Sequence, residues 1–128
     1  MRVISIAVVF ASAVLACAPP STVPGPTRNS NVITREDIAK VNVLNAYEAI
    51  SRLRPPFLNS HGSTTLSPND AGYPNVYLNH QRYGDLQSLR NIDVSSISEI
   101  HYYNGPQAST RFGLGNVSGA IEVITDAR

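Results

Sequence analysis

The sequence is poor in cysteine, in net charge and in long apolar runs, and each shortage excludes a class of protein. A single cysteine, Cys17, cannot form a disulfide bond within the chain. Ten basic residues face nine acidic ones, so the charge balance does not favour nucleic acid as a partner. The one long apolar run, Val3 to Leu15, spans about 20 Å as a helix, against ~30 Å for a bilayer core. A permanent transmembrane helix is therefore not expected.

The amino terminus is typical of an export signal. Arg2 supplies a positive start, the apolar run follows, and residues 16–20, Ala-Cys-Ala-Pro-Pro, end it. We predict a signal peptide over residues 1–16.

Two cleavage sites are compatible with this signal. Val14, Leu15 and Ala16 before Cys17 resemble a lipobox, which predicts lipidation of Cys17 and a membrane partner through that lipid anchor. Alternatively, residues 16–18 form an Ala-x-Ala site for ordinary signal peptidase, which would leave a soluble periplasmic protein. We favour lipidation, because a lone exported cysteine has no disulfide partner. Ala18, rather than Asp, after Cys17 resembles the sorting signal for the periplasmic face of the outer membrane.

Residues 17–31 have the composition of a tether. They contain Pro19, Pro20, Pro24 and Pro26 among small polar residues, a mixture that favours extended backbone. About 15 residues at ~3.1 Å each would hold the domain up to about 45 Å from a lipid surface. We place one folded domain over residues 32–128.

Capping residues and periodicity predict two helices. Thr34 followed by Asp37 favours a short helix with Ile38 on its inner face. Asn45 and Glu48 predict the start of a second helix, and Pro55 and Pro56 prevent its continuation. Its apolar stripe has helical spacing and comprises Val43, Ala46, Tyr47, Ile50 and Leu53.

Strands are predicted around Val76–Leu78, Ile100–Tyr103 and Ala120–Thr125, with short helical turns around Leu86, Leu89, Ile92 and Ile97. Asp93 is a candidate cap for one such turn. Residues 104–106, Asn-Gly-Pro, are read as a turn. The predicted fold class is α+β, a small mixed β-sheet with short helices on one face.

The carboxy-terminal third resembles the plug domain of TonB-dependent receptors. Residues 74–79 (PNVYLN), 92–100, 105–113 (GPQASTRFG) and 119–125 (GAIEVIT) follow the order and spacing of the plug motifs, and residues 33–38 and 46–50 are similar to its opening helices. The resemblance covers roughly residues 32–125. In the same block, Gly105 and Gly113 suit turns with positive φ, and Gly119 suits a close backbone approach.

Departures from the plug pattern mark this chain. Asn79 and His80 replace an Asp-Gly turn, although both can adopt left-handed backbone, and Asp126 replaces a common terminal lysine. No convincing TonB box lies between Cys17 and Ile33. A barrel of ~22 strands needs on the order of 200 residues in its strands alone, so a pore would come from a separate outer-membrane β-barrel.

Candidate chemistry is sparse, and we expect no catalytic, metal or cofactor site. His61, His80 and His101 lack the spacing of metal ligands and are read as loop, turn and sheet residues. Ser95 and Ser96 near Asp93 have hydrolase residue types without a nucleophile motif. Three tyrosines (Tyr77, Tyr102 and Tyr103) could stack on a sugar, but half-buried sheet positions are the commoner role.

The resemblance implies a non-enzymatic binding or accessory module in substrate uptake, with a separate barrel or transport component as partner, and the lipobox-like residues before Cys17 add the lipid anchor. The alternative is an envelope structural or signalling protein that keeps the plug fold without transport, because fold does not imply function.

Overall fold

The computed structural model of the protein describes residues 30–61 and 72–126. The predicted signal peptide, the predicted lipidation site Cys17, the predicted tether up to residue 29 and much of the polar stretch between Leu58 and Gly72 lie outside the described residues. None of the helices in the described ranges is long and apolar enough to cross a bilayer.

The described chain forms one mixed five-stranded sheet, which confirms the predicted α+β class. The strands are β1 (Val32–Thr34), β2 (Asn75–Leu78), β3 (Gln81–Gly84), β4 (Ile97–Tyr103) and β5 (Ala120–Thr125), in the spatial order β1-β4-β5-β2-β3. Only β2 and β5 run parallel. The strand β5 is therefore central, with β4 on one side and β2 on the other.

One face of the sheet, called the α2 face below, carries the main core. Alternation along β5 points Ile121 and Val123 to this face, where both are fully buried. Helices α1 (Arg35–Ile38) and α2 (Ala46–Leu53) cover it, together with 3₁₀ turns at Pro55–Leu58, Leu86–Asn91 and Val94–Ser96.

The predicted helix starts are confirmed. The Thr34 side chain accepts a hydrogen bond from the Asp37 amide at 3.4 Å. The Asn45 side chain accepts one from the Glu48 amide at 3.0 Å, and the Glu48 carboxylate accepts one from the Leu44 amide. Helix α2 ends before Pro55, as expected, and its predicted apolar stripe faces the core.

The carboxy-terminal region contradicts two expectations. Asn104, Gly105 and Pro106 are not a turn; they begin helix α3 (Gly105–Phe112), because Asn104 caps the Gln107 amide and the Gln107 side chain accepts from the Asn104 amide. Helix α3 also packs on the opposite face of the sheet, called the α3 face. The helices therefore lie on both faces rather than on one.

Gly105 is required for a different reason from the one predicted. Its φ is not positive, and a β-carbon there would lie 2.2 Å from the Val117 carbonyl oxygen. Gly113 has the expected positive φ of 90°. Gly119 combines a φ of 98° with a close approach, because a β-carbon would lie 2.7 Å from the Tyr103 carbonyl oxygen. The close approach predicted at Gly119 is confirmed.

The turn expected at Asn79 and His80 joins β2 to β3 in a hairpin whose second strand, β3, the sequence pattern did not predict. Asn79 and His80 form its two-residue turn with φ of 48° and 72°, the left-handed backbone expected of them. The Asn79 side chain both donates to the Thr125 hydroxyl and accepts from the Thr125 amide. This pairing fixes the turn against the end of β5.

Candidate functional site

A buried carboxylate on the central strand is the chemically most unusual feature of the domain. Glu122 lies between Ile121 and Val123 but points to the α3 face, and its side chain is fully buried. A buried carboxylate is costly unless charges or hydrogen bonds compensate it. Its neighbours therefore define the candidate site.

Three side chains from three elements surround Glu122. Arg111 of α3 brings Nη2 to 3.3 Å from Oε2. The Tyr103 hydroxyl of β4 donates to the same oxygen at 3.2 Å. His80, in the β2–β3 turn, brings Nδ1 to 3.2 Å from Oε1. We call Glu122, Arg111, Tyr103 and His80 the Glu122 cluster.

The protonation of His80 follows from its second contact. Arg111 Nη2 lies 3.0 Å from His80 Nε2, and a guanidinium only donates. Nε2 must then accept, which assigns the proton to Nδ1, on the side of Glu122. The Nδ1–Oε1 contact is not aligned as a hydrogen bond, and Oε1 has no hydrogen-bond partner within the described part of the chain. The contact is therefore electrostatic.

Aromatic packing holds the cluster under α3. The Phe112 ring stacks on Tyr77 with 3.9 Å between centroids and meets Tyr103 edge-on at 5.6 Å. The Arg111 guanidinium carbon lies 5.1 Å from the centre of the Tyr103 ring, within cation–π range. Burial, and then the negative charge of Glu122, raises the pKa of Tyr103 above its ordinary value.

The Glu122 cluster joins elements rather than presenting a reactive group. The carboxylate pairs with a guanidinium, accepts from a phenol and lies beside an imidazole, and each of these three groups comes from a different element. Arg111 and His80 keep 40% and 65% of their side chains exposed, so the cluster reaches the surface at α3. Its chemistry is that of an ion pair between α3 and β5, supported by the Tyr103 hydrogen bond and by the neighbouring imidazole of the hairpin, and we call this arrangement a lock.

The residues weighed for hydrolase chemistry have structural roles. Asp93 accepts from the Ser95 amide at 2.8 Å and caps the turn at Val94–Ser96, as predicted. Hydrogen bonds from Ser95 lower the pKa of the Asp93 carboxyl. The Ser96 hydroxyl donates to the Asp93 carbonyl, and His101 pairs with Glu99 at 2.7 Å. These residues therefore do not form a hydrolase triad.

The three histidines have three separate partners. His61 Nε2 lies 2.7 Å from the Tyr102 hydroxyl on the α2 face, whereas His80 and His101 contact Arg111 and Glu99. Within residues 30–61 and 72–126, no three His, Cys, Asp or Glu side chains are grouped as metal ligands.

The tyrosines do not share one surface. Tyr102 stacks on Phe57 at 4.8 Å on the α2 face, whereas Tyr77 and Tyr103 lie under α3. Tyr77 is 6% exposed, and the other two are half-buried. The prediction of half-buried sheet positions is confirmed for Tyr102 and Tyr103, whereas Tyr77 is a buried sheet residue.

A second ordered feature, the loop from Gly113 to Gly119, leads from α3 into β5. Its anchor is Asn116, which is 2% exposed. Asn116 Oδ1 accepts from the Tyr77 hydroxyl at 3.0 Å and from the Asn75 side chain at 2.9 Å, and its amide nitrogen donates to the Gly113 carbonyl. Residues 116–118, Asn-Val-Ser, match a glycosylation sequon, but the buried and hydrogen-bonded Asn116 side chain is not accessible to modification.

Asp126, which departs from the plug pattern, contacts Arg35 in an ion pair, and Arg35 also donates twice to the Ile97 carbonyl. The acidic residue thus joins the end of β5 to the start of α1.

Sequence reasoning missed the Glu122 cluster because it did not predict α3. One signal was present: Glu122 interrupts an apolar strand at a position that shares its face with Ala120 and Ile124. A prediction of α3 on that face would have implied that the Glu122 carboxylate is buried.

Comparisons with protein-family models, with curated proteins and with solved structures find no match to this chain.

Proposed function

We propose that the protein is a lipid-anchored, plug-like module of the outer membrane that acts without catalysis in substrate uptake by meeting a separate β-barrel. The main support is the arrangement of residues 105–125, which contain the most specific part of the plug resemblance. Residues 105–125 form one contiguous unit of α3, loop and central strand, fastened by the Glu122 cluster. Tyr103 and His80 of that cluster tie the unit to β4 and to the β2–β3 hairpin, as a plug that acts as one body requires.

The size of the domain is compatible with a barrel lumen. A domain of about 95 residues has a radius of gyration near 12 Å, which corresponds to a sphere roughly 32 Å across. A barrel of ~22 strands, tilted by about 40° and spaced ~4.8 Å apart, measures about 44 Å between opposite backbones. Inward side chains take about 10 Å of that width, which leaves a space close to the size of this domain.

Co-purification tests the proposal. The full chain, tagged at its carboxy terminus, is extracted from outer membranes in a mild detergent, and the recovered proteins are identified by mass spectrometry. We expect an outer-membrane barrel or transport component. The control is Cys17→Ser, which removes the lipid acceptor and should sharply reduce that recovery. Wild-type protein that brings down no such component contradicts the uptake role.

A second candidate is an envelope structural or signalling protein with the same fold. The lock around Glu122 is internal to the domain, so the fold does not depend on a transport partner. Deletion of the gene separates the candidates. Loss of growth on a scarce nutrient, such as an iron chelate, cobalamin or a glycan, favours uptake. A general envelope defect without nutrient dependence favours the second candidate.

A further inference from the structure

The loop from Gly113 to Gly119 presents an apolar side chain that the fold does not use. Leu114 is 99% exposed, between two glycines with φ of 90° and 98°. A β-carbon at Gly113 or Gly115 would meet nothing within 4 Å, so the loop stands clear of the domain at these positions. The backbone beneath it is held by the buried Asn116. Leu114 is therefore displayed by an ordered loop.

Two other exposed apolar residues lie at the same end of the domain. Val117 is 44% exposed, and its carbonyl packs against Gly105, just after β4 ends. Tyr73 is 50% exposed and precedes Asn75, the first residue of β2, whose side chain donates to the Gly115 carbonyl at 3.1 Å. We call Tyr73, Leu114 and Val117 the apolar end.

The chain enters the domain at this same end of the sheet. The antiparallel register pairs Val32 with His101, and the Tyr102 amide donates to the Asn31 carbonyl. Strand β1 therefore begins where β4 finishes, and the end of β4 pairs with the start of β5. The tether that runs back to Cys17 thus leaves from the end that displays Leu114.

We propose that the apolar end is a membrane contact: Leu114, with Val117 and Tyr73 beside it, inserts into the lipid leaflet to which Cys17 is anchored. This inference rests on the anchorage included in the proposed function, and it describes the domain before it engages a barrel. A lipid anchor on a tether of about 15 residues allows any distance from direct contact up to about 45 Å, and it keeps this face of the domain at high local concentration near the leaflet. Exposed apolar side chains at such a surface gain by leaving water.

A matched control residue lies at the opposite end of the domain. Leu44 is 74% exposed, and its carbonyl accepts from the Val94 amide, just before β4 begins. It has the same side chain as Leu114 but lies away from the tether.

Quenching by brominated lipid tests the contact. The full acylated chain is prepared as Leu114→Cys and, separately, as Leu44→Cys, and each thiol is labelled with an environment-sensitive dye; an acylated Cys17 does not react. Both proteins are reconstituted into vesicles of phosphatidylethanolamine and phosphatidylglycerol containing phosphatidylcholine brominated near its headgroup. We expect emission at position 114 to fall by about twofold or more and emission at position 44 to stay unchanged. High salt should not reverse the quenching, because the contact is apolar.

A second variant tests the side chain itself. With the dye at Val117→Cys, replacement of Leu114 by Ser should lower the ratio of membrane-docked to undocked domain, read from the quenching, by about tenfold or more. Replacement of Leu44 by Ser should leave docking unchanged.

Three outcomes overturn the contact in distinguishable ways. Protein that does not float with the vesicles refutes the anchorage at Cys17, and the contact with it. Protein that floats with equal quenching at positions 114 and 44 refutes the contact alone. A dye at position 114 that is shielded from aqueous iodide but is not quenched by brominated lipid shows that a second copy of the chain, rather than lipid, covers the loop.

Discussion

At the scale of single residues, the domain contains a charged side chain, Glu122, in a position where charged groups are rarely found. Glu122 is fully buried and faces Arg111, whose guanidinium stays partly in water. The desolvation cost of a buried carboxylate is offset only when its partners are well placed. Here the partners belong to three different elements. The ion pair is therefore expected to matter more to the placement of α3 than to total stability.

Glu122→Gln should lower the free energy of unfolding by about 1–3 kcal/mol, because Arg111 loses its buried partner but can still be hydrated. Urea denaturation measures the change. The control is Glu99→Gln, a half-exposed carboxylate paired with His101 on the same face, which should cost under about 0.5 kcal/mol. Equal effects of the two variants would contradict the lock.

Gly119→Ala and Gly113→Ala form a matched pair for the close approach at β5. Both replace glycines with φ near 90–98°, but only at residue 119 does the new methyl group meet a carbonyl oxygen. Each substitution should lower the free energy of unfolding by about 1–3 kcal/mol, because alanine is strained at this positive φ. Gly119→Ala should lower it by at least about 1 kcal/mol more. Equal unfolding midpoints would show that the β4–β5 junction adjusts freely.

Alkaline pH should weaken the fold through two tyrosines. Burial raises the pKa of Tyr102, and burial followed by the charge of Glu122 raises that of Tyr103. Because the folded pKa lies above the unfolded one, this contribution to stability is complete below about pH 10 and is lost as the pH rises through the folded pKa. Thermal melts across this range, together with tyrosinate absorbance, measure the loss. It should be smaller in Tyr103→Phe, and an unchanged alkaline fall in that variant would contradict the assignment.

At the scale of elements, the sequence predicted the helix starts and ends, because these depend on residues close together in the chain. The caps at Thr34, Asn45 and Asp93 and the stop at Pro55 are short-range events, and all four occur as expected. Strand β3 was missed because Gln81–Gly84 is polar and exposed and pairs with only one neighbour. Its alternation carries no apolar signal.

Helix α3 was missed because the same residues satisfy two patterns. Asn-Gly-Pro is typical of a turn, but Asn followed three residues later by Gln is also a capping box, and Pro is favoured in a first helical turn. The short apolar face, Ala108 and Phe112, becomes decisive only when Tyr77 and Tyr103 are beneath it. Those contacts are tertiary and could not be read from the local sequence.

Asn104→Ala tests whether the cap determines α3. It should remove the hydrogen bond from the Gln107 amide and cost about 1 kcal/mol of stability by urea denaturation. Asn104→Asp keeps an acceptor and should stay within about 0.5 kcal/mol of the wild type. A loss in Asn104→Asp as large as that in Asn104→Ala would assign the effect to some property other than the cap.

At the scale of the whole molecule, the two faces of the sheet differ in what they carry. Its α2 face holds the large apolar core, whereas its α3 face holds the Glu122 cluster and supports the loop that displays Leu114. Sequence alone predicted the α+β class, the positions of β2 and β5 and the second part of β4, Ile100–Tyr103. The expectation that Ile97 lies in a helical turn was wrong, because Ile97 is the buried first residue of β4. It did not predict the covering of the second face, because that covering depends on contacts between residues some 20 to 40 positions apart, such as Tyr103 with Glu122 and Tyr77 with Asn116.

The proposed function requires that this two-faced domain meet a barrel in the cell. Photo-crosslinking in intact cells tests that requirement most directly, with a photoreactive amino acid placed at exposed Gln81 of the full chain. The account predicts a covalent adduct with an outer-membrane barrel polypeptide, identified by mass spectrometry and lost in Cys17→Ser. Adducts restricted to other copies of the chain or to periplasmic proteins, unchanged in Cys17→Ser, would contradict it.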